Sequence, residues 1–197
     1  MSPGKPVTTL SALAEKGTVR PEDFTNCPQR VVEIADVPLE VPDLKAAADK
    51  VMEQGFYDRE RVEDALVSLV IGNAIFAGPP ETGKMKLAGL LAQALNVELH
   101  KETANPEWSV YDVIGSQAVN AQGGTQPKHG VVTSSILECA TTTVKHLDKG
   151  QGPQGTWLLI DEMNRAEIDR AFGPLFTALS GEDEGTFALD YMEASRG

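Results

Sequence analysis

The stretch AGPPETGK, residues 77–84, decides how this chain is interpreted. It fits the phosphate-loop pattern G-x-x-x-x-G-K through Gly78, Gly83 and Lys84. In such a loop, glycines let backbone N–H groups turn inward toward an anion, and the helix that follows adds partial positive charge. The pattern therefore predicts that Lys84 reaches the β- and γ-phosphates of a nucleotide. A chance Gly-Pro turn before a helix is the alternative.

Two residues of this region are unusual for a phosphate loop. The pattern calls for Ser or Thr after the lysine, and Met85 stands there. A thioether cannot replace that hydroxyl, because Mg²⁺ demands hard oxygen ligands. Glu81 places a carboxylate where phosphate oxygens would sit, and one like-charge pair at ~4 Å near a surface costs about 4 kcal/mol. We therefore predict a nucleotide site with the right architecture and impaired binding.

A second motif, WLLIDE, occupies residues 157–162. Its apolar residues predict a central strand, and Asp161 and Glu162 follow at the carboxyl end, where open parallel sheets bind ligands. Asp161 is predicted to hold Mg²⁺ through its water shell, and Glu162 to orient and deprotonate an attacking water. The alternative is a strand end with two solvated acids, which the upstream phosphate loop disfavours.

Strand and helix patterns alternate along the chain, which predicts an α/β domain with a mainly parallel sheet. Residues 1–42 are rich in proline and show no periodicity, so they are expected to form an extended or loosely ordered arm. Predicted helices cover 43–55, 58–72, 84–96, 133–147 and 164–181; predicted strands cover 73–77, 97–104 and 157–160; a hairpin is predicted within 113–132.

Composition limits the class of protein. Seventeen Lys and Arg against 29 Asp and Glu give a net charge of −12, so direct nucleic-acid binding is not expected. Cys27 and Cys139 form no metal spacing, which favours a reduced cytoplasmic chain. No run is long enough for a membrane span, and the N-terminus lacks a signal-peptide core.

The segments AGPPETGK and LLIDEMNRAEIDRAFGPLFTAL resemble AAA+ ATPases, especially the MoxR/McrB-like branch, and the resemblance runs from about residue 43 to 190. It implies a P-loop NTPase (AAA+) large subdomain with a mainly parallel sheet flanked by helices. It also implies ATP, or GTP as in the McrB type, together with Mg²⁺. The full-length parent is expected to form a homo- or hetero-oligomeric ring, commonly a hexamer.

The resemblance assigns roles residue by residue. Glu162 and Lys84 are the expected catalytic residues, and Asp161 is the expected metal ligand. Asn164 and Arg165 occupy positions with a role at the subunit boundary, although a helix N-cap and a surface charge would explain them equally. The family usually has Gly at position 81 and Thr at position 85. The expected nucleotide-binding residues are Gly78, Pro79, Pro80, Glu81, Thr82, Gly83, Lys84 and Met85.

The chain ends at Gly197, soon after the second motif. We therefore expect residues 43–197 to be a partial AAA+ core, incomplete at its C-terminus, with the sensor, arginine-finger and lid regions absent. Residues 73–77 and 157–160 are expected to be central strands buried on two faces. If the sheet lacks a strand between them, the isolated chain should be marginally stable or dependent on a partner.

Two functions remain in competition. The first is an ATP-binding and ATP-hydrolysing module of a MoxR/McrB-like remodelling or defence machine, impaired here by Glu81, Met85 and truncation. The alternative is a catalytically inactive structural or regulatory ring subunit. A kinase-like transferase on the same loop is weaker, because DEMNR is typical of ring ATPases. Lys84, Asp161 and Glu162 favour the first function, and the two substitutions favour the second.

Overall fold

The structure is a computed structural model that describes residues 37–119 and 123–180. Most of the arm predicted for residues 1–42 lies outside these ranges. Residues 37–42 contain no helix or strand. Within the described residues, no helix has the length and apolar character needed to cross a membrane.

The described elements alternate between helices and strands, as the sequence predicts. In chain order they are α1 (Leu44–Glu53), α2 (Arg59–Ile71), α3 (Lys84–Ala94), β1 (Glu98–Thr103), α4 (Val110–Val113), β2 (Gly115–Val119), β3 (Thr125–His129), α5 (Val131–Lys149), β4 (Thr156–Asp161), a 3-10 turn (Met163–Arg165) and α6 (Ile168–Ser180). Aspartates begin the first two helices: Asp43 accepts from Lys45 N–H and Asp58 from Arg61 N–H. Such caps satisfy backbone donors that a helix start leaves unpaired.

Strands β1 and β4 pair in parallel. At one end Glu98 N–H donates to the carbonyl of Gly155, and at the other Ala104 N–H donates to the carbonyl of Asp161, both at 2.9 Å. Both strands advance by six residues between these bonds, which defines the parallel register. The α/β fold with a parallel sheet flanked by helices is therefore confirmed.

Strands β2 and β3 form the predicted hairpin. They are antiparallel, with Gly115 opposite His129 and Val119 opposite Thr125; residues 120–122, between them, lie outside the described ranges. Gly130 follows directly, and a Cβ there would lie 2.5 Å from the carbonyl carbon of Val113. This close backbone approach explains why a glycine begins the segment that leads into α5.

The described residues divide into two compact units, one of residues 37–100 with 137–157 and one of residues 101–119, 123–136 and 158–180. The first unit packs helices α1, α2 and α3 around a core in which Leu66, Leu91 and Leu95 have no exposed surface. Burying each such leucine stabilises the fold by about 1.5–3 kcal/mol. In the second unit, Trp108 packs against Phe172 with ring centroids 6.0 Å apart and tilted by 52°.

The strand predicted at residues 73–77 is not present, and this prediction is wrong for the structure. Ile75 is 88% exposed, while Phe76 is half-buried against the first core. No backbone group of the segment hydrogen-bonds to another described residue. A strand requires a neighbour to pair its N–H and C=O groups, and no described strand supplies one here.

The second expected central strand forms, but its burial was predicted wrongly. Residues 157–160 lie within β4 as expected. They are half-buried rather than covered on both faces. The apolar composition of WLLI was sufficient to predict a strand, whereas burial depends on what covers each face.

Candidate nucleotide-binding site

The phosphate loop lies in the first unit and leads directly into α3. Two of its residues have left-handed backbone conformations, Glu81 with φ +60° and Gly83 with φ +78°. Glycine adopts this region freely, whereas a residue with a Cβ loses roughly 1–2 kcal/mol there. The conformation at position 81 thus gives a physical reason for the glycine that AAA+ ATPases, which the two motifs resemble, usually carry there.

Lys84 is held at the mouth of the loop by the loop itself. Its ammonium Nζ donates to the carbonyl oxygen of Gly78 at 3.0 Å and to that of Pro79 at 2.6 Å. Thr82 Oγ1 also donates to the carbonyl of Pro79, at 2.9 Å. Neutral carbonyls orient the ammonium without cancelling its charge, so the positive charge remains available to an anion.

Helix α3 leaves its first N–H groups without a side-chain cap. It begins at Lys84, and its N-cap is Gly83, which has no side chain to accept from them. The first backbone bond of the helix runs from Leu87 N–H to the carbonyl of Gly83, at 2.8 Å. The unpaired donors and the helix dipole together favour an anion at this end. Pro79 and Pro80 contribute no donors because proline lacks an N–H.

An open cleft of about 550 Å³ adjoins the loop within the same unit. One side is formed by the end of α1 and the linker to α2, including the fully exposed ring of Phe56. The other side is formed by Glu81, Thr82, Gly83 and Lys86. Sequence reasoning did not single out the Gly55–Tyr57 linker; the adjacent aromatic residues after a helix-ending glycine were the available signal.

The two unusual residues occupy different positions at this site. Glu81 is exposed and lines the cleft, with no ion pair to any described residue. Met85 is half-buried in the first turn of α3. A negative charge therefore stands beside the opening of the site, and the first turn of the helix carries a thioether instead of a hydroxyl.

Strand β4 ends at Asp161 in the second unit, and Glu162 follows it directly. Asp161 Oδ1 accepts from Glu162 N–H at 2.9 Å, which orients the carboxylate at the end of the strand. Glu162 has φ +54° and is exposed, and its carbonyl accepts from Arg165 N–H at 2.8 Å. Left-handed non-glycine residues are frequent at functional sites, where surrounding structure sustains their strain.

Asn164 and Arg165 both lie exposed in the 3-10 turn. Helix α6 begins at Ile168, and Glu167 accepts its first backbone bonds, from Arg170 and Ala171. The alternative in which Asn164 caps the helix is therefore wrong. Neither side chain pairs with a described residue.

Asp161, the last residue of β4, is the carboxylate that the sequence assigns to Mg²⁺. Among the described residues, no three His, Cys, Asp or Glu side chains cluster as a metal site. Mg²⁺ at nucleotide sites keeps several waters and takes only one or two protein carboxylates plus phosphate oxygens. The single carboxylate of Asp161 fits this pattern.

Comparison with known families identifies the domain to which both motifs belong. The sequence model of the AAA domain (dynein-related subfamily) matches residues 73–189, which include both motifs and more than half of the chain. A comparison with curated proteins found no match. The phosphate loop before α3, the acidic end of β4 and the extent of this match show that the chain belongs to the AAA domain family, dynein-related subfamily, and is an AAA+ ATPase module.

Proposed function

We propose that this module binds ATP, with GTP as the alternative, through residues 78–85 and the adjoining cleft. The observation that carries the proposal is the Lys84 ammonium, fixed 2.6 Å from the Pro79 carbonyl beside the uncapped start of α3. Phe56 offers an exposed aromatic face in the cleft, on which a purine base would stack. Mg²⁺ would accompany the phosphates.

In this proposal Lys84, Asp161 and Glu162 each have one role in ATP hydrolysis. Lys84 would bind the β- and γ-phosphates and stabilise the charge that develops during transfer. Asp161 would hold the Mg²⁺ water shell, and the metal would supply neutralisation of phosphate charge. Glu162 would accept a proton from the attacking water, a role suited to an exposed carboxylate at a strand end.

We further propose that nucleotide binding is weak in this chain. The Glu81 carboxylate lines the cleft without a cationic partner among the described residues, so it would repel the phosphates. Met85 withholds a magnesium ligand. These two changes also support the second candidate function, an inactive structural or regulatory subunit of a ring.

The MoxR/McrB-like assignment belongs to this proposal. The residues DEMNRA, 161–166, are the feature that favours this branch of remodelling and defence ATPases. Ring assembly would give the exposed and unpaired side chains of Asn164 and Arg165 a partner at the subunit boundary. Arg side chains at such boundaries suit phosphate or carboxylate groups, since the guanidinium donates in a planar fork.

Calorimetric titration with Mg-ATP, repeated with Mg-GTP, tests the proposal. We expect weak binding by the native chain and clearly tighter binding by the Glu81→Gly, Met85→Thr double variant. Adding Lys84→Ala to that variant is the control, because it removes the phosphate-binding ammonium and should abolish the gain. If the double variant binds no better than the native chain, the substitutions do not account for weak binding. If neither binds ATP or GTP, nucleotide binding is refuted.

A further inference from the structure

The phenol of Tyr57 extends from the α1–α2 linker to the phosphate loop. Its ring lies against the backbone of Gly55, where a Cβ would overlap it, and packs on the core of the first unit. At the other end, a Cβ built on Gly83 would lie 3.7 Å from the Tyr57 hydroxyl oxygen. The hydroxyl is therefore fixed beside the residue that precedes α3.

This hydroxyl is a donor without a partner among the described residues. Tyr57 lines the cleft together with Thr82 and Gly83, and it makes no hydrogen bond to either of them. The nearby Pro79 carbonyl already accepts hydrogen bonds from Lys84 and Thr82. The hydroxyl oxygen lies beside Gly83, the N-cap residue of α3, in the wall of the cleft.

We infer that the Tyr57 hydroxyl donates a hydrogen bond to a phosphate oxygen of the bound nucleotide; this inference rests on the proposed nucleotide function. Phenol donors bind anionic oxygens more strongly than neutral ones. Phe56, the preceding residue, is fully exposed in the same cleft and suits the base. The two neighbouring aromatic residues thus contact different parts of the nucleotide: Tyr57 binds a phosphate and Phe56 binds the base.

The test compares Tyr57→Phe with Phe56→Ala, each introduced into the Glu81→Gly, Met85→Thr double variant. Three ligands are titrated: Mg-ATP, inorganic tripolyphosphate and adenosine. Tyr57→Phe should weaken ATP and tripolyphosphate binding about tenfold, as expected for one lost hydrogen bond to a charged group, and leave adenosine binding unchanged. Phe56→Ala should weaken ATP and adenosine binding and leave tripolyphosphate binding unchanged.

If Tyr57→Phe binds ATP and tripolyphosphate as tightly as its parent does, the inference is overturned, while the proposed nucleotide binding stands. Loss of adenosine binding as well would show that Tyr57 only supports the cleft, and would also overturn it. If the parent binds neither ATP nor tripolyphosphate, the inference and the proposed function both fail. As a check independent of folding, the ring ¹³C signal of Tyr57 in the parent should shift on addition of tripolyphosphate.

Discussion

Lys84 donates a 2.6 Å hydrogen bond to the carbonyl oxygen of Pro79, five residues earlier in the chain. The bond closes the phosphate loop across its mouth and places the ammonium beside the first turn of α3. Glu81 lies within the loop so closed, in a left-handed conformation. One loop therefore carries Lys84, which attracts phosphate, and Glu81, which repels it. Substituting each residue separately measures the effect of each charge on binding.

Glu81→Gly should raise both stability and affinity for Mg-ATP, because it removes a left-handed non-glycine residue and a negative charge together. Glu81→Gln removes only the charge, so it should improve binding without raising the melting temperature. The stability gain of the glycine variant should be about 1 kcal/mol. Thermal melts and calorimetric titrations of the two variants measure these effects. A higher melting temperature for Glu81→Gln would mean that charge, rather than backbone strain, destabilises the loop.

Met85→Thr should tighten nucleotide binding only when Mg²⁺ is present. A threonine hydroxyl adds a hard oxygen ligand for the metal, whereas it adds little to the direct binding of phosphate. The measurement is the ratio of ATP dissociation constants in Mg²⁺ and in EDTA. Met85→Leu is the matched control and should leave that ratio unchanged. An equal gain in EDTA would show that the threonine acts through packing or helix geometry.

The elements that could be predicted from sequence are those whose causes are local. Asp43 and Asp58 begin helices because their side chains cap the backbone donors next to them. The acids of the second motif were placed correctly at the end of β4, because apolar residues followed by charged ones define a strand end. In each case the determining groups lie within a few residues of one another.

Features that depend on distant residues were predicted poorly. The segment 73–77 has the composition of a buried strand, but a strand also needs a neighbour, which composition does not reveal. The cleft brings the Gly55–Tyr57 linker beside Glu81 and Gly83 across more than twenty residues of chain. The close approach at Gly130 arises in the same way, from a tertiary contact with Val113.

Gly130→Ala should destabilise the protein by about 1–3 kcal/mol, since the new methyl group would overlap the backbone of Val113 and force it to move. Gly89→Ala is the matched control. Gly89 lies inside α3, where an added Cβ meets nothing within 4 Å. That variant should stabilise the protein by roughly 0.5–1 kcal/mol, because alanine favours a helix interior over glycine. Urea unfolding measures both, and equal effects would contradict the tight contact at Gly130.

The last prediction tests whether residues 73–77 form an exposed segment, as in the structure, or a buried strand, as the sequence predicts. Ile75 is 88% exposed, so Ile75→Lys should change the free energy of unfolding by no more than about 0.5 kcal/mol. It should also reduce self-association, because Ile75 and the 81% exposed Ile71 present apolar side chains to solvent.

Phe76 is half-buried against the first core, so Phe76→Ala should cost several times more than the change at Ile75. Urea unfolding and light scattering on both variants provide the measurements. In a strand buried on two faces, a lysine at position 75 would leave an unpaired charge in the core and would destabilise the fold by several kcal/mol. A loss of stability of that size for Ile75→Lys would therefore support the predicted buried strand and contradict the exposed position of Ile75.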